Sequence, residues 1–279
     1  MKMNLVLSGM IVSGLMAASL AAQTPAPATG TTPPMPAAVA KPDVDASAAA
    51  KPTGPLPSAD TVLQHYVDVT GGAKAYDAVK TMVGTGKFVM PAQGITGDLT
   101  MYSAAPNKSY ALIDIQGVGK VEEGSDGTIA WEISPMTGAR IKAGDEAAAE
   151  IRSAATDIHT NWKKYYKSAE VTGIDDVDGK PAYKVVLTPQ SGSSETEWYD
   201  KDSGLVLKSA MTVDTPMGKA PVEIAFSDYK KEGDITIPTK MVQNVAGQQF
   251  EIHLEKVDLN APVPPNRFDI PADIKALQK

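Results

Sequence analysis

The sequence predicts a mainly β protein with a few helices, and three observations carry that prediction. Apolar and polar residues alternate along most of residues 82–254, the period of strands whose successive side chains point to opposite faces. Clusters of Gly, Pro, Asp, Asn and Ser interrupt the alternation at short, regular spacing, as in a large antiparallel sheet built from hairpins. Residues 145–167 alone change to the period of a helix in mid-sheet.

The domain is the last part of a three-part chain of 279 residues. Residues 1–22 carry one basic side chain, Lys2, then an apolar run closed by the small residues Ser19, Ala21 and Ala22. That is the composition of a secretory signal peptide, so a periplasmic location is expected. The competing reading is an uncleaved segment anchored in the inner membrane, which Ser8, Gly9, Ser13 and Gly14 weaken as a span. Residues 23–57 are rich in Pro, Ala and Thr. Such a segment buries too little apolar surface to offset its ordering entropy, so a disordered linker is expected. Residues 58–279 are ample for one β domain.

The formal charge is −7 and the basic residues do not cluster, so no nucleic-acid partner is expected. The absence of cysteine excludes disulfides, thiol catalysis, zinc–thiolate sites and lipid attachment at an N-terminal cysteine.

Taken in order, Ser58 or Asp60 is placed to cap a helix over residues 61–69, with Val62, Leu63, Tyr66 and Val69 on one side and Gly71-Gly72 as its stop. A second helical piece covers residues 73–79. Met82, Gly84, Gly86, Phe88 and Met90 share one face of the first strand; Ile95, Gly97, Leu99 and Met101 share one face of the second. Glycines on an inner face relieve crowding and allow a sheet to bend. Strands at 109–115, 120–123, 129–133 and 139–141 follow. In residues 145–167, Ile151, Ala155, Ile158, Trp162 and Tyr165 or Tyr166 form an apolar stripe, fitting one bent helix or two short ones. Strands resume at 171–177 and 183–188.

The clearest local structure is the hairpin of residues 194–213. Glu195, Glu197 and Tyr199 alternate with Thr196 and Trp198; turn residues 200–204 follow; then Leu205, Leu207, Met211 and Val213 share one parity. Strands at 222–227, 235–237, 241–245 and 250–255 complete the sheet. Phe268 anchors a proline-pinned tail over residues 260–271.

No catalytic constellation emerges. His65, His159 and His253 are scattered, without metal-ligand spacing. Asp175, Asp176 and Asp178 lack the spacing and the closing Glu of a calcium loop, and sit where turn residues belong. No catalytic residue, metal or cofactor is expected. Residues 145–167 have two readings: a lid over an apolar guest, or a helix packed permanently on a filled core.

Several stretches carry a resemblance to a known family. They are Thr70-Gly71-Gly72 with Ala75-Tyr76, Asp178-Gly179-Lys180-Pro181-Ala182-Tyr183, Glu197-Trp198-Tyr199-Asp200 with Ser203-Gly204-Leu205, and Val257-Asp258-Leu259-Asn260-Ala261-Pro262 followed by Phe268 and Pro271. Their order over residues 59–277 resembles the LolA/LolB-like outer-membrane lipoprotein-sorting superfamily. The resemblance implies a strongly curved antiparallel sheet, an incomplete β-barrel, with a helical lid on its concave side. It implies a carrier whose ligand is a lipid or the acyl chain of an acylated protein. On that basis Phe88, Leu99, Met101, Ile113, Trp131, Ile151, Ile158, Trp162 and Leu207 are the expected cavity lining, in a monomer that meets other envelope proteins. The alternative is an envelope scaffold with a filled core and no ligand.

Overall fold

The computed structural model describes residues 54–215, 218–245 and 247–278. The expected signal peptide and most of the linker lie outside them. The helices are α1 (Ala59–Val69), α2 (Ala73–Ala78), α3 (Gly144–Ser153), α4 (Trp162–Tyr165) and α5 (Ala272–Ala276). The first six strands are β1 (Thr81–Met90), β2 (Ile95–Ala104), β3 (Lys108–Ile115), β4 (Gly119–Ser125), β5 (Ala130–Ser134) and β6 (Gly138–Ile141). After α3 and α4 come β7 (Tyr166–Val177), β8 (Lys180–Pro189), β9 (Glu195–Asp200), β10 (Val206–Thr215), β11 (Gly218–Glu232), β12 (Ile235–Val245) and β13 (Gln248–Leu259).

Among the described residues, all 13 strands join one antiparallel sheet in the order β6-β5-β4-β3-β2-β1-β13-β12-β11-β10-β9-β8-β7. Sequence neighbours pair along both arms, and β1 pairs β13 at the centre, with Phe88 opposite Ile252. The sheet does not close: β6 and β7 are its free edges, and the chain passes from one to the other through α3 and α4. This open curved sheet with helices on its concave face is the fold that the sequence predicts.

The residue pattern explains where each helix sits. Ser58 Oγ accepts from the Thr61 N–H at 3.1 Å and caps α1. Val62, Leu63, Tyr66 and Val67 bury its inner face, whereas Val69 in the last turn is exposed rather than part of the stripe. Val67, Tyr76 and Val79 pack with Phe88, Leu99, Ile113, Ile224, Phe250 and Ile252 in the main core. A second cluster joins α1 to Ile158, Tyr166, Val171, Leu187 and Tyr199. The segment after β6 resolves into two short helices with turns between them. Tyr166 opens β7, so the helical pattern overruns its element by two residues.

Two expectations are corrected by register. Trp131 points to the other face of the sheet, where it packs with Tyr110 and Ile274 beneath the tail residues Phe268 and Ile270. On β3, Tyr110 and Leu112 share that outer face while Ile113 faces the main core. In β10 the pairing with β9 shifts between Val206 and Lys208. A bulge adds one residue and flips the facing of what precedes it. Val206 is therefore buried with the second cluster, and Leu207, predicted to share a face with Met211, is the bulge residue.

Candidate ligand site beneath the bridging helix

Helix α3 lies over the concave face with no fully buried side chain, so little apolar burial holds it down. Ion pairs to the sheet hold it instead. In β6, Ala139 and Ile141 pack outward, which turns Arg140 and the following Lys142 inward. The Arg140 guanidinium lies 2.5 Å from Glu132 of β5 and 2.7 Å from Glu146 of α3. Lys142 Nζ, fully buried, lies 3.0 Å from Glu123 of β4 and 3.2 Å from Glu150 of α3. Burial alone would lower the Lys142 pKa, but the charges of Glu123 and Glu150 outweigh it and hold the ammonium above its usual range.

The third tie is longer. Arg152 Nε of α3 lies 3.7 Å from Glu195 Oε1 of β9, with its guanidinium over the Tyr166 ring at 5.6 Å. Glu195, Glu197 and Tyr199 share the inward parity of β9, because Trp198 faces out and donates from Nε1 to Asp175 at 2.8 Å. The Tyr199 hydroxyl donates to Glu197. Glu197 is partly buried, and no cation pairs with it among the described residues. Burial first, then the Glu195 charge, push its carboxyl up to about 7, the Tyr199 hydrogen bond opposing. Burial pushes His159 down to about 4, so its ring is neutral at physiological pH.

Two small cavities lie under α3. One, of about 50 Å³, is bounded by Tyr66, Arg152, Ile158, His159, Tyr166, Glu195, Glu197, Val206, Ser209, Met211, Phe226 and Tyr229. The other, of about 40 Å³, lies between α3 and β10. They share Ala149, Arg152, Ser153, Glu195 and Met211 as walls. His159 also borders an outer polar groove with Asp60, Trp162 and Lys163.

Of the nine residues expected to line a cavity, Ile158 borders the larger one. Phe88, Leu99, Met101 and Ile113 sit together in the packed main core. Ile151 is partly buried on α3, and Trp162 packs beside the second cluster and borders the outer groove. Trp131 and Leu207 are displaced as described. The charged set (Arg140, Lys142, Arg152, Glu195 and Glu197) was missed, because charged residues on strands, helices and their connections ordinarily read as a solvent face. One signal was available: Glu195 and Glu197 share parity with Tyr199, so a carboxylate pair and an aromatic point the same way. Among the described residues no three His, Cys, Asp or Glu side chains are arranged to hold a metal ion.

Comparison with solved structures places this architecture. The chain is similar to a LolA superfamily protein from Nitrosomonas europaea, with a TM-score of 0.52 and 13% identity over 77% of this chain and 99% of that one. It is similar to a putative outer membrane lipoprotein-sorting protein domain from Vibrio parahaemolyticus, with a TM-score of 0.50 and 14% identity over 75% and 95%. A DUF1329 family protein from Desulfovibrio piger gives a TM-score of 0.50 and 17% identity over 75% and 96%. No protein-family profile and no curated sequence matches the chain. The resemblance to the LolA/LolB-like superfamily thus holds at the level of fold. No helix among the described residues is long and apolar enough to cross a membrane.

Proposed function

We propose that the protein is an exported, non-enzymatic carrier that holds a lipid, a lipoprotein acyl chain or a similar hydrophobic ligand between its sheet and α3. The observation that carries this reading is the pair of cavities with shared walls beneath a helix that has no fully buried side chain. Lifting α3 merges them into one groove at little hydrophobic cost. Volumes of about 50 and 40 Å³ describe a closed lid, since sites for small molecules span about 300–1,000 Å³. An acyl chain of about fourteen methylenes brings about 11 kcal/mol of gross burial at about 0.8 kcal/mol each, before ordering costs. That is enough to displace a helix held by three ion-paired contacts. The fold shared with a lipoprotein-sorting domain supports a periplasmic setting and an acylated ligand.

The small volumes also favour a second reading, an envelope scaffold whose core is filled. Native mass spectrometry of the protein purified from its own host separates the two. The carrier arrives with a co-purified hydrophobic adduct, or gains one on addition of lipid. Reproducibly ligand-free protein that does not respond to added lipid selects the scaffold.

A further inference from the structure

Resting on the carrier reading, we infer that the guest is an amphipath bearing an ammonium group, which Glu195 and Glu197 bind in the place Arg152 occupies while α3 is closed. Three features of the larger cavity converge on a cation. First, two carboxylates of the fixed sheet face it, while the cation that meets one of them, Arg152 beside Glu195, belongs to the helix that must lift. Second, Ser209 lies directly opposite Glu197 in the β9–β10 register. Its hydroxyl borders the cavity, is buried at 4% exposure and has no hydrogen-bond partner. Together with the Glu197 carboxyl it offers acceptors to an N–H donor that none of the described residues supplies. Third, the rings of Tyr66, Tyr166, Phe226 and Tyr229 form the walls, and aromatic faces attract cations.

The energetics of opening select the same class. When α3 lifts, Arg152 leaves Glu195, and that carboxylate stands beside Glu197 in a partly apolar cavity without a cation. Breaking a buried pair by removing one partner is costly because the remaining charge is uncompensated. A neutral guest opens the lid against that cost, and an anionic guest adds repulsion to it. An ammonium guest replaces the guanidinium and cancels it. The floor of about 50 Å³ has room for such a head group, which is close in size to a water molecule of about 30 Å³.

The test is a titration of the full chain with dodecylamine, sodium laurate and dodecanol, which share one chain length, read by native mass spectrometry and calorimetry. Dodecylamine should bind about tenfold or more tightly than either partner, the worth of one charge-assisted contact. The Glu195→Gln/Glu197→Gln variant should bind amine and alcohol alike. Glu197→Gln alone, which leaves the Arg152–Glu195 contact in place, should lose part of the preference. Equal binding of the three probes, or a preference for laurate, overturns the ammonium inference and leaves the carrier reading standing. An amine preference that persists in the double variant reflects the overall acidity of the chain and also overturns it. Failure of all three probes to bind overturns the carrier reading itself.

Discussion

A Cβ placed on Gly86 would lie 1.9 Å from the carbonyl oxygen of His253, at the bulge where β1 meets β13. At Gly84, two residues earlier on the same face, the nearest atoms would be 3.8 Å away, ordinary contact. The two glycines look alike in sequence and differ in what they hold. Gly86→Ala should destabilise the fold by about 1–3 kcal/mol, the range of overpacking. Gly84→Ala should be neutral or stabilise by up to about 1 kcal/mol, because alanine loses less chain entropy on folding. Urea unfolding of both variants checks the contrast. Glu197 gives a second residue-level outcome. Its folded-state carboxyl titrates at about 7 against 4.5 for the free group. Between those values the folded state keeps a proton that the unfolded chain releases, so Glu197 removes stability as pH rises through the window. His159 works oppositely: its ring titrates at about 4 folded against 6.5 free, so it adds stability from pH 4 to 6.5. The two overlap, and only a difference isolates Glu197. The stability of Glu197→Gln minus that of the wild type should be flat below pH 4.5 and grow until about pH 7. The gain should reach on the order of 1–3 kcal/mol after allowance for partial exposure. A pH-independent difference would show that the carboxyl is not held protonated by its surroundings.

At the scale of elements, α3 differs from α1 in what fastens it. Helix α1 fully buries Val62, Leu63, Tyr66 and Val67; α3 has no fully buried side chain and relies on Arg140–Glu146, Lys142–Glu150 and Arg152–Glu195. Replacing Glu146 and Glu150 with Gln leaves Arg140 and Lys142 with their sheet partners Glu132 and Glu123, so the sheet is spared. The helix loses two partly buried contacts, each about 1 kcal/mol because Arg140 and Lys142 keep a carboxylate partner. Amide exchange over residues 144–153 should accelerate about 5- to 30-fold, with β1 and β13 unchanged. Uniform acceleration across the sheet would mean that α3 opens only with global unfolding. The same contrast marks what the sequence made legible. Alternation of Phe88, Leu99, Ile113, Ile224 and Ile252 placed the core strands, because one face of each is apolar and the other is not. The charged floor was illegible for the converse reason. Charges on strands normally face water, and only the β4–β5–β6 register, bringing Glu123, Glu132, Arg140 and Lys142 under α3, reveals that here they face in. Leu207 was misplaced by a one-residue bulge, which no alternation pattern records.

For the whole molecule, the decisive feature is the gap between β6 and β7. A meander that pairs its first and last strands at the centre must leave both free edges at the middle of the sequence, and the segment joining them must cross the opening. The bridge is therefore covalently held at both ends yet hydrogen-bonded to neither arm as a strand. A segment with this topology can swing away from the concave face without breaking the ladders on either side, which a strand in the same place could not do. Closure of the bridge should then govern ligand entry. The chain has no native cysteine, so Ala149→Cys with Met211→Cys places a unique thiol pair across the two cavities, one on α3 and one on β10. Joined by a short bis-maleimide, the pair ties the bridge to the sheet at a point where both residues wall the same space. The joined protein should exclude the dodecylamine and dodecanol that the same double variant binds before joining, both read by native mass spectrometry. Uptake that survives the tie would place the entrance elsewhere, and the gap between the edges would then be a consequence of topology alone.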